Sequence, residues 1–209
     1  MTDPTGFQQP NSTANDFNSL SFVFEMLMSK VWVATLVRVQ AVTNVDTLSP
    51  VGYVDILPMV MQIDGALNTV PHETIHHCPY FRMQGGTNAV ILDPKVNDVG
   101  IAIFAHGDIS VASSTGQQSP PGSRRRNDPA DAMYIGGVLN GIPTQYILFA
   151  AAGISVVSPT KITLQAPEVD INSASVLVNG TSLKHNGVNV GSTHVHISSA
   201  PGDPTSVPQ

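Results

Sequence analysis

The feature that most constrains this chain is a short-period repeat in its last third. Apolar residues recur two apart as Ile154/Val156, Ile162/Leu164, Val169/Ile171, Val176/Val178 and Val188/Val190, and the first four pairs step by eight, seven and seven residues. Side chains two apart share one face of a strand. Turn residues punctuate the run at Ser158-Pro159, Ala166-Pro167, Asn172 and Asn179-Gly180, so the pattern reads as short strands with a common apolar face. A one-sided β-ribbon encloses no core and leaves its edges open. Between residues 149 and 209 only Lys161, Glu168, Asp170, Lys184 and Asp203 are charged. The economical solution is several copies wound about one axis, each turning its Val/Ile face inward. An obligate homo-oligomer is expected, with three chains the natural number for a narrow prism.

The ribbon runs into Gly187-Val188-Asn189-Val190-Gly191-Ser192-Thr193-His194-Val195-His196-Ile197. With Val188 and Val190 at the axis, strand alternation sends Ser192, His194 and His196 to the same side and Val195 away from it. Burying two imidazoles per chain without partners is costly, because each ring has a donor and an acceptor to satisfy. A metal ion takes the acceptor lone pair and leaves the N–H for a carbonyl or water. Three chains supply six nitrogens, an octahedral set that suits Fe(II), Co(II) or Ni(II) better than four-coordinate zinc. An ion filled on all sides by protein has no open position for a substrate, so its role would be structural. His194 and His196 are therefore the candidate metal ligands, and the turn residues of 198–204 can fold the chain end over the site.

Upstream the texture differs. Residues 1–16 are polar, with no basic start and no apolar run; a flexible arm is expected there and a secretory signal is not. Phe17, Leu20, Phe24, Leu27, Met28 and Val31 fall three or four apart behind Ser12, Thr13 and Asn15, which predicts an amphipathic helix. Short β-branched runs at 31–42, 51–61, 89–92 and 100–104 predict a small barrel of the five-stranded oligonucleotide/oligosaccharide-binding (OB) type within 17–111, with a sandwich the other possibility. Residues 112–148 are expected to be a linker or lariat leading into a shaft at 149–197, with a tip at 198–209. The predicted fold class is mainly β: an N-terminal helix, an OB-fold-like barrel, and a triple-stranded intertwined β-helix formed by a homotrimer. Arg124, Arg125 and Arg126 stand beside Asp128 and Asp131, which favours a local salt-bridged loop or a contact with a neighbouring chain over a phosphate site.

Composition closes off several functions. Nine Lys and Arg against fifteen Asp and Glu give a net charge of −6, no field for holding nucleic acid. The single Cys78 excludes an intramolecular disulfide and a cysteine-rich zinc module. The longest apolar stretch, residues 146–157, falls well short of the roughly 20 residues that span a bilayer. One rival motif remains. His72-Glu73-Thr74-Ile75-His76 has the form of a metalloprotease zinc signature, with His77 and Cys78 next to it. It supports an alternative reading as a metal-dependent hydrolase using His72, Glu73 and His76. That chemistry needs a helix through the motif, yet Pro71 and Pro79 bracket it, so a loop between barrel strands is expected instead. A receptor-binding tail fibre is the third reading. His106 and His185 stand alone and are expected at the surface.

The helix and barrel, followed by Phe104-Ala105-His106-Gly107-Asp108-Ile109-Ser110 and then Pro120-Pro121-Gly122-Ser123-Arg124-Arg125-Arg126-Asn127-Asp128, resemble the N-terminal domain of phage membrane-piercing spikes of the phi92 type. The repeat ending in His194-Val195-His196 is similar to the apex of central spikes from contractile-tailed phages of the P2 and Mu type. The resemblance runs from Phe17 to the end of the sequence. It implies a trimeric needle with a barrel collar and a β-helix shaft, docked to the baseplate hub or tail tube. It implies one iron ion per trimer, held by His194 and His196. The resemblance also implies a virion protein at the distal end of the tail, assembled in the host cytoplasm, which pierces the outer membrane of a Gram-negative host when the sheath contracts. No enzymatic activity is expected, since the length leaves no room for a lysozyme-like insertion.

Overall fold

The computed structural model describes residues 7–43, 46–48 and 52–191. The chain divides into two compact units, Met1–Pro143 and Thr144–Gln209, and strand outweighs helix. The expected ligands His194 and His196 lie outside the described residues.

Ahead of the first helix, residues 9–14 are held in turns, with the Ser12 and Ala14 N–H groups donating to the Gln9 and Asn11 carbonyls. Asn15 then caps helix α1 (Asp16–Met28), its Oδ1 accepting from the Asn18 N–H at 2.8 Å, which satisfies one of the free donors of the first turn. The helix stops short of Val31, because the Lys30 and Val31 N–H groups bond three residues back, to Leu27 and Met28, a tightened last turn. None of its residues is buried, and Phe17, Leu20 and Phe24 remain exposed.

Thirteen short strands follow. They are β1 (Ala34–Val42), β2 (Tyr53–Pro58), β3 (Gln62–Ile63), β4 (Thr69–Val70), β5 (Ile75–Pro79), β6 (Met83–Gly85), β7 (Asn88–Val90), β8 (Val99–Phe104) and β9 (Ala132–Gly137) in the first unit. In the second unit are β10 (Tyr146–Ala150), β11 (Gly153–Val157), β12 (Lys184–His185) and β13 (Val188–Asn189). Five of them form one antiparallel sheet in the order β5-β2-β1-β8-β9. Its ends meet where Tyr80 and Tyr134 form a parallel bridge and the Phe81 N–H donates to the Tyr134 carbonyl at 2.8 Å. The result is a curled half-barrel.

Three bulges produce the curl, since an extra residue on one strand bends it and tightens its twist. Gln40 is extra on β1, Ile135 on β9, and His76 and His77 of β5 together face Asp55 of β2. Alternate residues of the sheet build the core: Val37, Val39, Val54, Ile56, Ala102, Phe104, Ala132 and Tyr134, joined by Cys78 and Tyr80. Gly100 lies under the Tyr134 ring and Gly52 under the Tyr80 ring, where any Cβ would overlap the aromatic carbons.

Two expected boundaries move. The last sheet strand, β9, lies inside the segment expected to be linker; its AMYIGG sequence lacks a β-branched run, and only Ala132 and Tyr134 are buried in it. Residues 89–92 were the expected barrel strand, but Asn88–Val90 pairs with Met83–Gly85 as a separate exposed hairpin. The strand that belongs in the sheet is β5, where a loop was expected.

Beyond the sheet a buried ion pair joins the β5–β6 connection to the segment after β7. Arg82 and Asp93, with side chains 7% and 4% exposed, meet at 2.7 Å. The Tyr80 hydroxyl donates to Asp93 Oδ1 at 2.7 Å, and the Asp46 N–H donates to Oδ2 at 3.0 Å. Burial pushes the Asp93 carboxyl up, but the hydrogen bonds from Tyr80 and Arg82 outweigh it and hold the group below its ordinary value.

In the second unit, residues 146–157 form the β10–β11 hairpin, and no helix among the described residues is long and apolar enough to cross a membrane. After it the chain bends at 159–160, 167, 174 and 180–181, close to the turn positions expected of the repeat.

Asp93→Ala removes the carboxylate that pairs with Arg82 and accepts from the Tyr80 hydroxyl in a buried site, so equilibrium urea unfolding is expected to show a loss of about 3–5 kcal/mol. Tyr134→Phe serves as the contrast. The Tyr134 hydroxyl is buried with no hydrogen-bond partner among the described residues, and its removal is expected to shift stability by less than about 1 kcal/mol in either direction.

Candidate functional site

The hairpin that precedes the expected ligands is built by its turn. Asn186 and Gly187 have φ of 47° and 82°, the left-handed pair that a two-residue hairpin turn requires and that Asn-Gly supplies. It sets Lys184 opposite Asn189 and His185 opposite Val188, and the Val190 N–H donates to the Leu183 carbonyl at 2.6 Å. Residues opposite one another in an antiparallel pair share a face, as do residues two apart. One face of the hairpin therefore carries Leu183, His185, Val188 and Val190, and the other carries Lys184 and Asn189. His185, expected at the surface, is exposed there and shares its face with Leu183, Val188 and Val190.

The β10–β11 hairpin carries apolar residues on both faces, with Tyr146, Leu148 and Val157 on the one opposite Ile154 and Val156. Ile147, Phe149, Ile154 and Val156 share one face, paired as Ile147 with Val156 and Phe149 with Ile154. All four are exposed, from 55% to 75%. The repeat residues after them, Ile162, Leu164, Val169, Ile171, Val176 and Val178, are exposed as well. From residue 162 to 182, no backbone N–H among the described residues donates to a backbone carbonyl of the chain.

The rival motif has a different geometry from the one its chemistry needs. No helix forms at residues 72–76; Ile75 and His76 are already in β5. The His72 ring packs edge-on against Trp32 with centroids 5.0 Å apart. His76 Nδ1 lies 2.8 Å from Asp55 Oδ2, and the His77 N–H donates to Asp55 Oδ1 at 2.9 Å. His77 sits at φ 60° and stacks on Tyr53 at 3.7 Å. Asp55 thus closes the β5 bulge with both oxygens, and its carboxyl is held low by the His77 N–H first and by His76 second. His72, Glu73 and His76 line a shallow cavity of about 370 Å³ beside Trp32 and Asp128. Among the described residues no three His, Cys, Asp or Glu side chains converge in one chain as a metal site. Cys78 points into the core, where burial, reinforced by Asp55, pushes its thiol up to about 12, which leaves it protonated at neutral pH and a poor metal ligand.

The arginine loop is an ion-pair cluster. Arg125 Nη2 lies 3.0 Å from Asp108 Oδ2 and 3.1 Å from Asp131 Oδ1, and both carboxylates are buried. Hydrogen bonds from the Ser110 and Ser123 hydroxyls, then from the Ser110 N–H, hold Asp108 at about 2. The cluster ties the loop ahead of β9 to the turn after β8.

Compared with known proteins, the chain matches no family model and no curated sequence. The sequence did not foretell Asp55 as the partner of His76 or the pairing of His185 with Val188. The second carried a signal, since Asn186-Gly187 marks a two-residue hairpin and hence the pairing of His185 with Val188.

A thiol reagent is expected to leave Cys78 unmodified in the native protein and to label it only after denaturation, as read by intact mass. An NMR titration of the Asp108 carboxylate is expected to place its midpoint at about 2. Because that value lies below the ordinary 3.8, the contribution of Asp108 to stability is complete above about pH 4 and is lost as pH falls toward 2. Ser110→Ala removes the largest cause and is expected to raise the midpoint.

Proposed function

We propose that this chain is the trimeric central spike at the tip of a contractile phage tail, a structural virion protein that pierces the host outer membrane and catalyses nothing. The observation that carries the reading is the second unit's exposed apolar side chains, which share one face within each of its two hairpins and recur at the repeat positions between them. Eight side chains, from Ile154 to Val178, make up the repeat. Burying each is worth roughly 1.5–3 kcal/mol, enough in total to offset an association cost on the order of 4–15 kcal/mol. Residues 162–182, whose backbone N–H groups find no carbonyl within the described chain, can pair with neighbouring copies, as an intertwined β-helix requires.

The first unit supports the collar. A meander of β1, β2 and β5, then β8 and β9, with the outer strands β5 and β9 brought together at Tyr80 and Tyr134, has the strand order of an OB-type barrel. In this reading the collar docks to the baseplate hub or tail tube at the distal end of the virion, and the shaft touches the host outer membrane only in passing. The two-residue period that groups Val188 with Val190 assigns His194 and His196, further along the sequence, to the axis. Three copies there offer six nitrogens to one structural iron ion.

Native mass spectrometry together with metal analysis tests the proposal. The expected particle has three times the 22.0 kDa chain mass and one iron. His194→Ala with His196→Ala is expected to lose the iron and keep the trimer, because the apolar repeat extends far beyond the metal. A stable monomer in solution overturns the reading.

A further inference from the structure

Beyond the tip ligands, the hairpin geometry places one more imidazole where copies of the chain would converge. His185 is opposite Val188, and with Leu183, Val188 and Val190 it makes up the apolar face of the hairpin. The three apolar members are 47%, 66% and 42% exposed, so this face needs a partner as the rest of the ribbon does. We infer that His185 from three copies forms a second metal site, distinct from the one assigned to His194 and His196, and that it takes zinc. This inference rests on the trimeric reading of the second unit.

The argument begins with symmetry. If the Leu183/Val188/Val190 face turns to a threefold axis, His185 turns with it, and three equivalent rings surround the axis at one level. Asn186 stands beside one nitrogen of each ring; three acceptors buried on the other nitrogens and left unsatisfied are costly. A metal on the axis satisfies all three at once.

Three nitrogens and one water make the tetrahedral set that zinc prefers. The six-nitrogen set assigned to the tip is octahedral and suits iron. The two sites therefore differ in the ion that they select.

A neighbouring residue favours ligation as well. The Asn186 side-chain amide lies 3.3 Å from His185 Nε2. A half-turn of that amide presents its oxygen, which accepts the Nε2–H and leaves the Nδ1 lone pair for the metal. A partner on the far nitrogen is what fixes tautomer and ring orientation in metal-bound histidines.

The test uses the full chain without an affinity tag, loaded with Zn(II), dialysed, and read by native mass spectrometry and zinc-edge absorption spectroscopy. The expected wild type is a trimer holding one iron and one zinc, with three nitrogens and one oxygen around the zinc. His185→Ala, and independently His185→Gln, are expected to keep the trimer and the iron and to lose the zinc. His194→Ala with His196→Ala is expected to keep the trimer and the zinc and to lose the iron. A wild-type trimer that holds no zinc overturns this inference and leaves the spike reading standing, as does zinc that survives both His185 variants. A monomer overturns both.

Discussion

An extended chain with apolar side chains along one face and unpaired amides along its edges has no satisfactory state alone in water. That condition governs the second unit. Its bends recur every six or seven residues after the β10–β11 hairpin, so each straight piece is long enough for one apolar pair and too short to fold back on its neighbour. With few charges to hold it in solution, the ribbon finds its hydrogen bonds and its dry interface, in the proposed assembly, on other molecules. Copies of itself are the partners whose spacing is certain to match.

The first unit meets the same edge problem within one chain. Bulges at Gln40, Ile135 and His76-His77 bend the sheet until β5 and β9 meet at Tyr80 and Tyr134. Each tyrosine ring occupies space left by a glycine, Gly52 or Gly100, and the Arg82–Asp93 pair fastens the region next to the closure. Polar residues here serve geometry. Asp55 holds the bulge, Asp93 holds the Tyr80 hydroxyl, and Asp108 with Asp131 holds the arginine loop. The histidines at 72, 76 and 77 are spent in the same way, on Trp32, Asp55 and Tyr53.

What could be read from the sequence depended on whether the period survived in each element. Helix α1 and strands β2 and β8 keep an uninterrupted period, and β1 keeps one as far as its bulge at Gln40, so their positions were legible to within a few residues. Strand β5 was not, because the bulge puts Ile75 and Cys78, three apart, opposite Ile56 and Val54 and so erases the two-residue alternation. Strand β9 was hidden for a related reason. Ile135 is the bulged residue and Gly136 has φ 150°, so the strand displays neither a β-branched run nor a clean alternation. At the site, alternation grouped Val188 with Val190, but His185 required the hairpin register, which depends on the turn at Asn186-Gly187. Long-range partners such as Asp55 for His76 leave no trace in local spacing.

The histidines have a further use in the proposed assembly, one that a purely apolar axis could not serve. A repeat with a seven-residue step presents nearly the same Val/Ile face after a slip of one repeat, so neighbouring chains could pair out of register at little cost in buried area. Polar groups on the axis remove that degeneracy. In register, equivalent imidazoles meet at one level and share an ion; out of register, each faces a valine with its acceptor unsatisfied. A penalty of that kind fixes alignment in coiled coils that carry a single buried polar residue, and it grows with the number of chains. Metal-binding rings near the end of the ribbon would thus select one alignment of an interface whose affinity comes from the apolar repeat. Strands locked in that alignment have to separate together, which slows unfolding under load more than the same contacts broken singly.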